Sequence, residues 1–297
     1  MAIRLRTFEF LTRQQQIHGE LLPVQVLRDG FDFQGVRITL MSPQGIHKPR
    51  AMGMPLTITT IPPEPGRSLP YHDQVQDGLL IYCYRGTDSE HRDNAGLRRV
   101  MQERMPLVYL YGIVPGRYYP IYPVFIVADN PSSGTFAVAV EDATFVQIQA
   151  EISDGDCDAR RRYVTRLTKQ RLHQEVFRER VLEAYTHRCA ICHLRHTELL
   201  DAAHILPDSD EQGLPVVPNG LALCKLHHAA FDANLVGIRP DLVIELREDI
   251  RRETDGPMLQ YGIQAFHEKP IWVPRSDRLK PAKDRLEKRY GLFRASA

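Results

Sequence analysis

Apolar positions in the first half of the chain come in short runs broken by Gly and Pro. Leu5, Phe8, Leu11 and Ile17 fall on or near one helical face, which predicts a short amphipathic helix over residues 4–18. Leu21–Leu27, closed by Asp29-Gly30, reads as strand and turn. Phe31, Phe33, Ile38 and Leu40 recur at strand spacing around Gly35 and predict another strand. Ser42–Pro49 is loop by composition, and the β-branched run Leu56–Ile61 is a strand that Pro62-Pro63 ends. Leu79–Gly86 predicts a short buried strand with Tyr82 and Tyr84 on one face and Cys83 on the other. Asp93 or Asn94 caps a helix running to about Arg104. Pro106–Val114 and Tyr118–Ala128 predict two strands around Pro115-Gly116, and Thr135–Val140 one more. Many short strands with one or two helices close most naturally as a partly open β-barrel.

The pattern then changes. Residues 151–158 are acidic and mark a boundary, and Ala159–Tyr185 predicts one or two helices. Arg160, Arg161, Arg162, Arg166, Lys169, Arg171, Arg178 and Arg180 make this segment basic, while Glu175 and Glu179 partly neutralise it. Such a face either contacts phosphates or is simply solvated. Leu199–Leu206 predicts a strand carrying His204, Leu221–Phe231 the start of a helix, and Leu242–Leu246 a strand. The tail predicts a helix over Pro281–Tyr290, with Ile271, Trp272, Leu286 and Tyr290 packing it on the preceding core. The expected organisation is therefore a domain over 1–150, a connector over 151–175 and a second domain over 176–297.

Composition narrows the class only a little. A chain of 297 residues with 43% hydrophobic and 25% charged residues is ordinary for a soluble globular protein of two domains. The formal charge of +1 does not announce a nucleic-acid binder, so any basic surface must be local. Among the five cysteines, Cys83 and Cys157 have no evident pairing, which points to a reducing cytoplasm rather than a disulfide framework. The absence of an apolar run of transmembrane length predicts no membrane partner.

The chemistry concentrates between Cys189 and Asp232. Cys189-x-x-Cys192 and Cys224-x-x-His227 are two knuckles, each able to present two soft ligands to one ion, and thiolates with an imidazole suit tetrahedral Zn²⁺. His228 is the other candidate for the fourth position, although the two-residue spacing favours His227. A closed four-ligand site is structural, so any reaction must use what it braces. His204, Asn219, His228 and Asp232 remain. His228 and Asp232 lie four apart on one helical face, where an imidazole and a carboxylate can hold a divalent cation with open water positions. His204 on the adjoining strand is then placed to deprotonate a water, and Asn219 to bond the backbone or the ring and fix the His204 tautomer.

The sequence Ala203-His204-Ile205, then Asn219-Gly-Leu-Ala-Leu-Cys224, then His227-His228-x-x-Phe231-Asp232, resembles the HNH nucleases with a ββα-metal core over about residues 176–250. The resemblance implies His204 as general base, Asn219 as its orienter, and His228 and Asp232 as ligands of one catalytic Mg²⁺-type ion. Many members carry an Asp just before the base, where this chain has Ala203. Asp201 is a weak candidate ligand, because strand alternation points it away from the His204 face. With fewer anionic ligands, Mn²⁺, Co²⁺ or Ni²⁺ is expected to serve as well as or better than Mg²⁺.

Residues 25–145 resemble an SRA domain more loosely. Tyr71-x-Asp73, Asp77-Gly78, Tyr82-x-Tyr84-Arg-Gly86 and Asp93-Asn94-Ala95 follow its order. The resemblance implies a PUA-like curved sheet that flips 5-methylcytosine or 5-hydroxymethylcytosine, with Tyr71 and Tyr84 stacking on the base and Asp73 reading its edge. Tyr82 is the alternative stacking ring, and Gln74 the alternative to Asp73. Equally, these tyrosines are core residues of a strand, and Asp73 a turn residue. The expected fold class is α+β: an SRA-like, partly open β-barrel with flanking helices, a helical connector, and a zinc-braced ββα-metal HNH domain. The expected function is a modification-dependent endonuclease acting on double-stranded DNA with modified cytosine, as a homodimer. Two rivals stand beside it: a zinc-braced reader without catalysis, and a nicking or homing-type HNH nuclease with an unrelated DNA-reading domain.

Overall fold

The computed structural model describes residues 1–62, 79–141 and 154–296, at 154–163, 166 and 169 for the backbone only. The chain divides into two compact units, Met1–Leu172 and His173–Ala297. The boundary falls inside one continuous helix, Asp154–Ala184.

In the first unit the elements in order are α1 (Ala2–His18), β1 (Leu22–Pro23), α2 (Val24–Asp29), β2 (Phe31–Phe33), β3 (Val36–Ile38), β4 (Ile46–His47), β5 (Thr57–Thr59), β6 (Leu80–Cys83), α3 (Arg92–Gln102), β7 (Leu107–Val114), β8 (Arg117–Asn130) and β9 (Thr135–Val140). Among the described residues, seven strands form a curled half-barrel in the order β4-β5-β7-β8-β9-β6, with β1 added on β8. The β5–β7 pair is parallel, and the long β7 and β8 pair antiparallel through two register shifts. Such shifts bend a strand and help a sheet to curl.

Three local expectations change here. Val24–Asp29 is a helix, whereas its two valines suggested a strand. Pro23, the residue before the helix, is held at φ −61°, and the Val24 N–H donates to Gly116 O at 2.8 Å instead of joining a long ladder. Phe31–Leu40 is a hairpin of β2 and β3, not one strand. Gln34 and Gly35 both adopt left-handed φ, the geometry of a two-residue hairpin turn. The α3 cap is His91, whose Nδ1 accepts the Asp93 N–H; the buried Asn94 instead bonds Arg85 and Asp88 and holds that loop. In α1 the buried stripe is Arg4, Thr7, Phe8 and Leu11, with Ile17 exposed. Arg4 is buried because its guanidinium donates to the carbonyls of Pro55 and Pro106.

The residue range 154–184 forms α4, a single helix whose C-terminal end supplies Phe177, Val181 and Leu182 to the second unit, with Tyr185 just beyond it, all buried. That unit continues with β10 (Leu200–His204), β11 (Gly220–Cys224), α5 (Lys225–Asp232), β12 (Val236–Ile238), β13 (Ile244–Leu246), α6 (Glu248–Arg252), α7 (Pro257–Gly262) and α8 (Lys283–Ala295). Leu221–Cys224 is thus strand, and the helix starts only at Lys225. Every residue of β11 is buried, so its run of apolar side chains carries no alternation to separate it from a buried helix. β10 pairs β11 antiparallel with His204 opposite Gly220.

Two glycines set the packing. A Cβ on Gly220 would lie 2.4 Å from Val181 Cγ2 and 3.0 Å from the Phe177 ring, so the hairpin approaches α4 only because this side chain is missing. A Cβ on Gly237 would lie 2.5 Å from the Phe293 ring of α8. As expected, the tail packs on this core: Ile271 and Leu286 are buried within it and Trp272 packs against it. Among the described residues no helix is long and apolar enough to cross a membrane.

Candidate functional site

The turn at Cys189–Cys192 is closed by the His193 N–H donating to Cys189 O and the Cys189 N–H donating to Leu194 O. The Ala190 N–H donates to Ala222 O at 2.7 Å and ties this turn to β11. Cys224 ends β11 and caps α5, which brings His227 round in the first helical turn. The four side chains therefore converge, with ligand atoms all within 4.8 Å of one another. Cys192 Sγ lies 3.9 Å from Cys224 Sγ, while His227 Nδ1 lies 3.1 Å from Cys224 Sγ and 3.6 Å from Cys189 Sγ. Zinc–sulfur bonds in a tetrahedron imply sulfur pairs about 3.8 Å apart, so the set fits a zinc ion. His227 Nε2 donates to Gly262 O at 2.8 Å, which leaves the Nδ1 lone pair facing the sulfurs. The packed sulfurs, Cys189 first, drive the Cys192 thiol up and the Cys224 thiol down, a strain that a cation relieves.

Beside this cluster, within the second unit, lies a cavity of about 900 Å³. His204, Asp201, His228 and Asp232 line it, together with Phe177, Arg178, Asp208 and Arg289. His204 stands at the end of β10 with its ring stacked on Phe177, centroids 4.0 Å apart. Its Nε2 is enclosed, 3.2 Å from Asp208 Oδ1 but without hydrogen-bond alignment. Burial holds the His204 imidazole below its ordinary range, against the pull of Asp208. Asn219 is fully buried and does not bond the ring. It accepts from Leu206 N at 3.0 Å, donates to Leu206 O at 2.9 Å and to Leu214 O at 3.1 Å, and so pins the chain just beyond His204.

On α5, His228 Nε2 lies 3.3 Å from Asp232 Oδ2, as the one-turn spacing requires. Its Nδ1 lies 3.4 Å from Asp201 Oδ2. These carboxylates, Asp201 first, hold the His228 imidazole above its ordinary range. Burial pushes the Asp201 carboxyl up, but His228 and the Ala202 N–H outweigh it and leave it below the usual carboxylate range. Asp201 therefore opens on the same cavity as His204. The expectation that alternation turns it away is corrected: Asp201 lines the cavity with His204 and reaches His228 of α5.

Sequence reasoning passed over Asp208, Phe177 and Arg289 as site residues. Pro207-Asp208-Ser209-Asp210 has the composition of a turn, and Phe177 and Arg289 are each one residue of a helical face. In the first unit Tyr82 and Tyr84 are buried, 7% and 6% exposed. Tyr84 donates its hydroxyl to Asp129, beside the Arg98 guanidinium. Tyr71, Asp73 and Gln74 lie outside the described residues.

Cysteine knuckles, a buried Asn beyond a strand-borne His, and a His–Asp pair on the following helix define a recognisable order. Residues 189–239 match the HNH endonuclease family. The HNH segment opens on the first zinc-type cysteine and contains His204, Asn219, His228 and Asp232. HNH nucleases use divalent metals, and similarity of this segment to a nuclease family implies DNA as the partner. No curated protein matches the chain. Among solved structures, a modification-dependent TagI restriction endonuclease is similar at 17% identity, over 80% of this chain and 81% of that chain, with a TM-score of 0.31.

Proposed function

We propose that this protein is an endonuclease that reads cytosine modification in double-stranded DNA and hydrolyses a phosphodiester at the HNH site. The observation that carries the reading is the convergence of His204 with the His228–Asp232 pair, all within the HNH segment, on one open cavity. His228 and Asp232, whose Nε2 and Oδ2 lie 3.3 Å apart, would hold one divalent ion. Such an ion, Mg²⁺ or more readily Mn²⁺, Co²⁺ or Ni²⁺, would offset charge on the scissile phosphate and its leaving oxygen. His204 takes the proton of the attacking water at Nδ1, since Nε2 is enclosed against Asp208. Asp208 favours the tautomer with hydrogen on Nε2, and Phe177 fixes the ring plane. Cys189, Cys192, Cys224 and His227 hold zinc and keep β11 and α5 in register without taking part in the reaction.

The recognition half rests on the sequence order Tyr71, Asp73 or Gln74, Asp77-Gly78, Tyr84 or Tyr82, and Asp93-Asn94. In this reading the first unit flips 5-methylcytosine or 5-hydroxymethylcytosine, stacks it on tyrosine and reads its edge by a carboxylate. One HNH site cuts one strand, so double-strand cleavage calls for two copies of the chain.

One plasmid prepared unmodified and with defined cytosine modifications, incubated with and without Mn²⁺, tests both halves. Metal-dependent cleavage confined to modified plasmid is the expected result. Equal cleavage of all forms would leave an HNH nuclease with a different reading domain. Binding of modified plasmid without any nicking would leave a zinc-braced reader.

A further inference from the structure

His228 has a carboxylate at each ring nitrogen, and the two are built differently. Asp232, on the same helix, is 62% exposed on the side chain and reaches Nε2. Asp201, from β10, reaches Nδ1 with Oδ2 while its Oδ1 accepts the Ala202 N–H at 2.9 Å and lies 3.6 Å from Arg178 Nε. Arg178 is itself anchored, donating to the carbonyls of Thr197 and Leu200 and to Glu179. Both oxygens of Asp201 thus have protein partners although its side chain is 42% exposed, and they lie next to a guanidinium that repels a second cation.

As placed, the three groups do not converge on one point. Among the described residues only the Cys189–Cys192–Cys224–His227 set brings three or more such ligand atoms within 4.8 Å of one another; Asp201, His228 and Asp232 do not. An imidazole that binds a metal through one nitrogen carries hydrogen on the other and needs an acceptor there.

We propose that Asp201 is a positioning residue: it accepts the Nδ1–H of His228 and so presents the Nε2 lone pair, with Asp232, to the catalytic divalent cation. The proposal rests on the nuclease reading above and changes the role of Asp201 from ligand to orienter.

The test uses full-length, zinc-loaded protein with Mn²⁺ as the probe. Mn²⁺ affinity is measured by electron paramagnetic resonance, and the waters on bound Mn²⁺ are counted with isotopically labelled water. Asp201→Ala is expected to weaken Mn²⁺ binding about 10- to 100-fold, yet at saturation to leave the water count as in the wild type. Asp232→Ala is expected to gain a water, because a ligand has left. Nitrogen NMR of the Mn²⁺-free protein at alkaline pH should show His228 with hydrogen on Nδ1, and a mixture of tautomers in Asp201→Ala. Asp201→Asn, of the same shape, has one acceptor oxygen for two donors and should lose the same control, which keeps the test open if the Ala variant misfolds. A water gained in Asp201→Ala would make Asp201 a ligand and overturn the proposal while leaving the nuclease intact. Unchanged affinity and an unchanged tautomer would also overturn it. A wild-type protein that binds no Mn²⁺ would overturn the nuclease reading as well.

Discussion

Asn219 offers the sharpest separation between architecture and chemistry. Its side chain is fully buried and makes one acceptor and two donor bonds to Leu206 and Leu214. Asn219→Ala strands a buried N–H and carbonyl at Leu206 and a partly buried contact at Leu214. At about 1–3 kcal/mol for each buried group left unpaired, and less for the partly buried one, the second unit should lose about 2–5 kcal/mol of stability. Asn219→Asp should lose at least as much, because a carboxylate keeps the Leu206 N–H but turns lone pairs toward two carbonyl oxygens. Trp272 is the only tryptophan of the chain and packs in this unit, so its fluorescence in a denaturant titration reads the loss directly. Cleavage measured below the unfolding midpoint should fall by about 100-fold or less, as expected for a His204 displaced by a fraction of an ångström to an ångström. A variant within about 0.5 kcal/mol of wild type that nevertheless cleaves orders of magnitude more slowly would refute the reasoning and place Asn219 in the reaction itself.

Four further outcomes follow from the same geometry. Cys192→Ala should release zinc, detected by elemental analysis, and lower the Trp272 unfolding midpoint; an active wild-type protein without zinc would rule the site out. His204→Ala should keep zinc and DNA binding while cleavage drops by about two to four orders of magnitude. Because burial holds His204 below its ordinary value, it stays neutral to lower pH, so at saturating divalent ion the acid limb of cleavage should lie below about pH 6.5; a limb well above that would assign it to another group. Gly220→Ala should cost about 1–3 kcal/mol by overpacking Val181 and Phe177, and should slow cleavage through the ring stacked on His204; a neutral effect on both stability and rate would show that α4 yields freely.

The sequence was most legible where ligand spacing is dictated by local geometry. Cys189, Cys192, Cys224 and His227 come together because a two-residue gap admits few backbone paths, and His228 with Asp232 because one helical turn is invariant. It was least legible where burial erases periodicity. Leu221–Cys224 is apolar on both faces, and β-branched Val24 and Val26 sit in a helix that Pro23 and Leu27 define. Asp201 was misplaced because strand alternation alone does not show where a helix packed against the strand will stand, and its partner His228 lies 27 positions away in a different element. Asp208 and Arg289 reach the cavity only through tertiary folding, which leaves no local mark in composition.

The contacts of His227 and Gly237 redraw where the HNH segment can be cut out of the chain. The family match stops at residue 239, yet the zinc-facing tautomer of His227 depends on Gly262 and the floor beneath Gly237 is Phe293. A fragment trimmed to the match would carry every proposed ligand and His204, but the His227 imidazole would lose the acceptor that orients it and β12 would lose its cover. Grafts, fusions or truncations that treat 189–239 as a portable cassette should therefore be slow to metallate and prone to aggregate. One that runs from the C-terminal half of α4 through α8 keeps the whole lock together.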